Sequence, residues 1–113
     1  MPCYLIAIHH PDDYDPATAE DAAMHRDIDA LNDAMVAAGI RIFVGGLQPA
    51  HRAQSIRLDA DGQPLLSHGP YLPTQEHVVG FWVIEANNEG EAITWGARAA
   101  RACRAPVEVR AFN

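Results

Sequence analysis

The segment VVGFWVIEA at residues 78–86 carries the strongest strand signal in the chain. It is rich in β-branched and aromatic residues, which favour extended backbone. Because side chains alternate between the two faces of a strand, apolar residues at nearly every position predict burial on both faces. The alternation assigns Val79, Phe81 and Val83 to one face and Val78, Trp82 and Ile84 to the other.

A long helix is predicted upstream of this strand, from Asp15 to about Ala38. Asp15 is a suitable N-cap, and Pro16 suits the first helical position. Gly39 supplies the helix stop. The apolar stripe of this helix has 4-3-4-3 spacing and consists of Met24, Ile28, Leu31, Met35 and Ala38.

The remaining elements are shorter. The turn signal at 59–62, Asp-Ala-Asp-Gly, predicts a hairpin between strands at 55–58 and 65–67. A second helix is predicted to begin near Asn88, with Glu91 three residues on as in a capping box, and to end at about 101–103. Apolar or alternating segments predict further strands at 3–8, 40–44 and 107–110.

The order of these elements is β-α-β, a hairpin, and β-α-β. This order predicts an α+β ferredoxin-like plait with an inserted hairpin, built as one domain over residues 1–113. Two helices can cover only one face of the sheet, yet the strand at 78–86 is apolar on both faces. A second copy of the same sheet is the simplest cover, so the sequence predicts a homodimer with two-fold symmetry.

Composition excludes several function classes. The chain has 15 acidic residues against eight basic ones, which is too little positive charge for a nucleic-acid or anionic-membrane surface. It has no lysine, so Schiff-base chemistry and Walker-type phosphate loops are excluded. Cys3 and Cys103 fit free thiols better than a disulfide framework or a zinc site. The N-terminal segment has no signal-peptide or membrane-span pattern, and we expect a cytoplasmic protein.

The six histidines are the most informative chemical feature, because imidazole transfers protons near neutral pH. His25 is predicted on the first helix, with Asp21 one turn before it. A carboxylate in that place would orient the ring as a general base requires. The alternative is an exposed helix on which these charged pairs are solvated.

A second candidate pair, His68 and Glu76, lies in the turn before the strand at 78–86. Between them, Tyr71 and Thr74 are candidate ligand-binding residues, and Trp82 is expected to shape the pocket or pack at the dimer interface. The alternative is structural: Thr74 and Glu76 would satisfy backbone groups of the loop, and His68 would be a surface substitution.

His9 and His10 end the first predicted strand and precede a group of aspartates. Adjacent strand residues point to opposite faces, so at most one of the two histidines is expected to face a cavity. Histidine and aspartate can bind a divalent metal, but this spacing fits no closed zinc motif. We expect no specific metal site here.

Three segments resemble one known family. The segments GLQP at 46–49, HGPYLPTQE at 68–76 and HVVGFWVIE at 77–85 are similar to the YCII-related family, in the branch named for an Asp-Gly-Pro-Phe motif. The resemblance extends over nearly the whole chain. The chain departs from the motif at His68, which replaces the leading Asp, and at Gln75, which replaces the usual Lys.

The resemblance implies a dimeric α/β barrel and no obligatory metal or organic cofactor. Together with the available histidines and carboxylates, it supports two hypotheses. The first is a cofactor-free enzyme of isomerase or lyase type, acting by proton transfer on a small aromatic or carboxylated metabolite. The second is a dimer that binds a small ligand or a partner without turnover, which the two departures from the motif favour.

Overall fold

A four-stranded antiparallel sheet forms the centre of the structure. The computed structural model describes residues 1–113. Its strands in chain order are β1 (Cys3–Pro11), β2 (Arg41–Gly46), β3 (Gln54–Leu58), β4 (Pro64–His68), β5 (Glu76–Glu85) and β6 (Val107–Ala111). The main sheet has the order β2-β5-β1-β6, and β3 and β4 form a separate hairpin. This is the sheet order of a ferredoxin-like plait, so the predicted α+β class is confirmed.

Two long helices, α2 (Ala22–Ala37) and α3 (Glu89–Cys103), pack on the same face of this sheet. Between them and the strands lies the core, whose largest fully buried side chains are Ile6, Met35 and Ile84. The α3 helix begins as predicted, with the Asn88 side chain accepting a hydrogen bond from the Glu91 N–H at 2.9 Å. No helix of the chain combines the length and hydropathy needed to cross a bilayer.

The single long helix predicted from Asp15 is divided in two. Asp15 does cap a helix, but this helix, α1 (Pro16–Ala19), has only four residues. The Asp21 side chain then accepts a hydrogen bond from the Met24 N–H at 2.8 Å and starts α2. A second N-cap so soon after the first interrupts the helix, because a capping residue adopts extended backbone. Glu20 lies at this break, with φ −106° and ψ 134°.

A bulge interrupts the alternation of β5. Ile8 pairs with Gly80 and His9 pairs with Val78, which leaves Val79 without a partner on β1. Assigning Val79 to the face of Phe81 was therefore wrong, because Val79 packs against the core beneath the helices. A bulge redirects one side chain in this way while the rest of the strand keeps its register.

The other face of the sheet has no helix on it. The strand register and alternation place Leu5, Phe43, Phe81 and Val83 on this side, which we call the open sheet face. The rings of Phe43 and Phe81 stack with their centroids 5.7 Å apart, and Phe43 remains exposed. The predicted two-sided apolar character of the central strand is therefore present in the structure.

Candidate functional site

Two adjoining cavities open between the sheet and the start of α2. The larger has a volume of about 350 Å³ and the smaller about 300 Å³. Three residues line both cavities, and they are His10, Glu20 and Val79. The larger cavity also borders the GLQP segment, through Leu47 and Pro49, whereas the smaller borders core side chains such as Met24 and Trp82. A small molecule could occupy either cavity and contact the same histidine and carboxylate.

His10 reaches the cavities because of its place on β1. It lies two residues after Ile8, whose side chain is in the core, so alternation turns His10 toward the same face. Its ring stacks on Tyr14 at a centroid distance of 3.6 Å. Burial lowers the pKa of His10, and the negative charge of Glu20 opposes this shift with a smaller effect. None of the side-chain hydrogen bonds of the chain uses a ring nitrogen of His10, so the neutral ring keeps a free lone pair.

Glu20 connects two further side chains to this site. Its carboxylate accepts a hydrogen bond from the Tyr14 hydroxyl at 2.8 Å and lies 3.1 Å from Nε2 of His25. The bonds to His25 and Tyr14 lower the pKa of Glu20, so the group stays ionised. We call His10, Tyr14, Glu20 and His25 the cleft cluster.

Tyr14 is held as a neutral phenol. Burial, followed by the hydrogen bond to Glu20, raises the pKa of Tyr14 to about 12. The phenol therefore orients the carboxylate of Glu20 and supports the ring of His10 without itself carrying charge near neutral pH.

Glycines of β2 and β5 line one side of the smaller cavity, and the hydrogen-bonded pair of Trp82 and Asn32 lines another. A Cβ at Gly80 would lie 3.1 Å from the carbonyl oxygen of Gly45, so the two strands approach closely here and leave space above them. At the far end, Oδ1 of Asn32 accepts hydrogen bonds from Nε1 of Trp82 at 2.9 Å and from Arg41 at 3.1 Å. This fixes the Trp82 ring as a wall of the cavity.

Cys103 also borders the smaller cavity. Burial, and then the charge of Glu20, raises the pKa of the Cys103 thiol to about 11. A thiol that stays protonated is a poor nucleophile, so the site does not favour thiolate chemistry.

A second hydrogen-bonded group, centred on one histidine, lies at the end of β1. Nδ1 of His77 is 2.7 Å from the Asp12 carboxylate, and Nε2 is 3.1 Å from the Thr74 hydroxyl and 3.2 Å from the Leu72 carbonyl. The bond to Asp12, followed by that to the Leu72 carbonyl, raises the pKa of His77. We call this group the clasp, because it fastens the loop before β5 to the end of β1.

The predicted pair of His25 and Asp21 does not form. The Asp21 carboxylate caps α2, and His25 instead contacts Glu20 with its side chain 60% exposed. The interrupted helix explains the difference, since it places Glu20 and not Asp21 beside the imidazole.

The structure likewise does not bring His68 and Glu76 together at a cavity. Both are exposed, His68 at the end of β4 and Glu76 at the start of β5. The Thr74 hydroxyl donates to the backbone carbonyl of Glu76, as the structural alternative expects, and the Tyr71 ring lies exposed beneath Arg57. Of the predicted site residues only Trp82 lines either of the two cavities, and a binding or catalytic role for any of them stays a prediction.

Sequence reasoning missed Tyr14 and Glu20 as site residues. It expected at most one of His9 and His10 to face a cavity, left open which one, and weighed only metal binding for them. Two signals were available. The alternation Tyr4, Ile6, Ile8 places His10 next on the buried face. The second possible N-cap at Asp21 marks a helix start that would leave Glu20 outside both helices.

Comparison with known proteins gives two matches. The family model described as YCII-related domain matches residues 1–112. The chain is also similar to an uncharacterised protein of Rhizobium meliloti (strain 1021), with 32% identity over 74 residues. That match covers 66% of this chain and 59% of the relative.

Proposed function

The chain belongs to the YCII-related family, and from the cleft geometry we propose that it is an enzyme that moves a proton on a small organic molecule. The observation that carries this proposal is the cleft cluster, where an uncharged His10 faces two adjoining cavities beside an ionised Glu20. A general base needs a free lone pair that faces the substrate cavity, and it must be unprotonated at the working pH. His10 meets both requirements.

In this mechanism His10 accepts a proton from a carbon acid bound in the cavities and returns it at another atom. The imidazolium formed on His10 is stabilised by the charge of Glu20, which already favours the protonated ring in the free protein. Tyr14 positions both groups, by stacking on His10 and by bonding to Glu20. Proton removal followed by return or by loss of a leaving group corresponds to an isomerase or a lyase.

One observation supports a second candidate, a small-ligand binder without turnover. The Glu20 carboxylate already accepts bonds from Tyr14 and His25, so the cluster also ties the break between α1 and α2 to the end of β1. A purely structural cluster of this kind would leave the cavities as a binding site only.

Deuterium incorporation tests the enzyme proposal. The protein is incubated in D₂O with a panel of small aliphatic and aromatic carbonyl compounds, and the loss of C–H signals next to the carbonyl is followed by NMR. We expect exchange above the buffer rate, reduced on the order of 10²- to 10⁴-fold by His10→Asn. The matched control is His9→Asn, the neighbouring histidine on β1, which lines neither cavity and should exchange like the parent.

Equal exchange in His10→Asn and the parent would contradict the assignment of His10 as the base. Compounds that shift the NMR signals of His10 without any exchange would favour the second candidate.

We also propose that the chain forms a homodimer, because the open sheet face presents Leu5, Phe43, Phe81 and Val83 with no helix to cover them. A dimer with two-fold symmetry would bury this face of one copy against the same face of the other. A native mass spectrum showing only monomer across a range of concentrations would overturn this proposal. Membership of the Asp-Gly-Pro-Phe branch within the family stays a prediction.

A further inference from the structure

The β3–β4 hairpin, residues 54–68, which we call the arm, projects from the body of the molecule. The chain measures 49 × 38 × 18 Å, and its radius of gyration is 16.2 Å. A compact domain of this length has a radius of gyration of about 13 Å. The arm forms its own two-stranded sheet, separate from the main one. A projecting element of this kind accounts for the extended shape.

One face of the arm is apolar and uncovered. In the register of the hairpin, Ile56 is opposite Leu66 and Leu58 is opposite Pro64, so these four side chains share a face. Ile56 is 64% exposed, Leu58 67% and Leu66 65%. None of the four side chains carries a charge or a polar atom, so exposing this face to water is unfavourable.

The opposite face of the arm carries Ser55, Arg57, Leu65 and Ser67, and it contacts its own chain at Ser55 and Arg57. The Arg57 guanidinium lies 4.6 Å from the centre of the Tyr71 ring. At the base, the Ser55 hydroxyl donates to the Gly69 carbonyl at 2.6 Å, and the Gly69 N–H donates to the Ala53 carbonyl at 2.7 Å. These contacts anchor the base of the arm on the body and leave the face of Ile56 and Leu66 without a partner.

This arrangement requires a cover. A lone two-stranded hairpin is marginally stable in water. The four apolar side chains expose on the order of 400 Å² together, about half of the roughly 800 Å² that each partner buries in a standard interface. A patch of this size equals the largest apolar patch of a typical monomer, and such patches are often functional.

We propose that the apolar face of the arm is buried against a second copy of this chain, an inference that rests on the proposed homodimer. The chain exposes two apolar strand surfaces, the arm and the open sheet face, and a dimer that buries both comes closer to the area of a standard interface than the sheet face alone. The formal charge of −7 disfavours a nucleic acid or an anionic membrane as the occupant. Two equally acidic copies repel each other, so their association depends on apolar contact of this kind.

The arm also continues directly from the wall of the larger cavity. Ala50 and His51 line that cavity, and β3 begins at Gln54. Fixing the arm on a partner therefore fixes this wall as well, which links assembly to the shape of the candidate site.

The test is the double substitution Ile56→Asp with Leu66→Asp. Its matched control is Val36→Asp with Ile93→Asp, which places the same charges at similarly exposed aliphatic positions on the helices. Sedimentation velocity over a concentration series and native mass spectrometry measure the dimer dissociation constant. We expect the arm variant to raise this constant about hundredfold or more, since two buried aliphatic side chains are lost, while the control keeps the parent value.

The outcomes separate the two proposals. A parent chain that stays monomeric overturns the homodimer and the arm contact together. A dimeric parent whose dissociation constant is unchanged by the arm substitutions overturns the arm contact alone.

A second measurement, on the unmodified protein, tests the proposal even if the arm variant does not fold. Hydrogen exchange of the arm amides in the unmodified protein is compared below and above the dimer dissociation constant. Protection of residues 54–68 that appears only in the dimer supports the proposal, and equal exchange at both concentrations overturns it.

Discussion

The cleft cluster and the clasp each combine an imidazole with a carboxylate, but the pKa of the histidine is shifted in opposite directions in the two clusters. In the cleft, burial lowers the pKa of His10 and no hydrogen-bond acceptor binds its ring. In the clasp, the bonds to Asp12 and to the Leu72 carbonyl raise the pKa of His77. Both clusters lie at the end of β1, and Asp12 of the clasp even lines the larger cavity beside His10.

This difference shows that a carboxylate near a histidine does not identify a catalytic base. An acceptor beside each ring nitrogen favours the protonated form of His77, in which neither nitrogen has a lone pair to receive a proton. His10 interacts with Glu20 through charge alone and keeps its lone pair for a ligand. The deciding feature is what bonds to the ring, and the next three experiments test it.

The largest of these effects is expected in the cleft. Tyr14→Phe keeps the stacking on His10 but removes the hydroxyl that donates to Glu20 at 2.8 Å. We expect a loss of about 1 kcal/mol in the free energy of unfolding, measured by urea denaturation. Tyr71→Phe, at an exposed tyrosine outside both cavities, is the control and should unfold like the parent. Equal losses in both variants would show that the bond to Glu20 contributes nothing specific.

A smaller and local effect is expected from the clasp. Asp12→Asn removes the charge that holds His77, so amide hydrogen exchange in the loop at 69–76 should become a few-fold faster near pH 6. Asp13→Asn, at the neighbouring exposed aspartate, is the control. Because folding raises the pKa of His77, the contribution of the clasp is complete below the pKa of the unfolded chain. It is lost as the pH rises through the folded value, so the variant and the parent should converge at alkaline pH.

The third experiment, with the smallest expected effect, compares the pKa values of the two histidines directly by NMR titration of the parent. We expect His10 to titrate below the ordinary value of about 6.5 and His77 above it. For His10 the sign of the stability effect is reversed: the unfolded chain takes up the proton first, so this group destabilises the fold as the pH falls. Glu20→Gln should lower the pKa of His10 further and leave that of His77 in place. A pKa of His10 above that of His77 would contradict the comparison.

Much of the fold could be predicted because it depends on local pattern. The two-sided strand at 78–86, the hairpin turn at 59–62 and the cap at Asn88 each lie where the sequence placed them. The positive φ of 68° at Gly39 likewise confirms the helix stop. Alternation, capping and turn chemistry involve residues a few positions apart, so a single sequence contains the information.

The candidate site was harder to predict because it depends on two interruptions of these patterns. The helix break exposes Glu20 to Tyr14 and His25, and the bulge in β5 turns Val79 into the cavities. Regular periodicity places Asp21 beside His25 and leaves Val79 on the far face. Both errors arose from extending a periodic pattern through a residue where the backbone departs from it.

The sequence by itself determined the order of the elements and the apolar character of both sheet faces, since these follow from the spacing of side chains along the chain. Only the tertiary structure decided which histidine is the candidate base. His10 and Glu20 belong to different elements, and their opposed influence on the pKa of His10 exists only after β1 and the break before α2 are packed together. Burial and charge act through space, whereas periodicity acts along the chain.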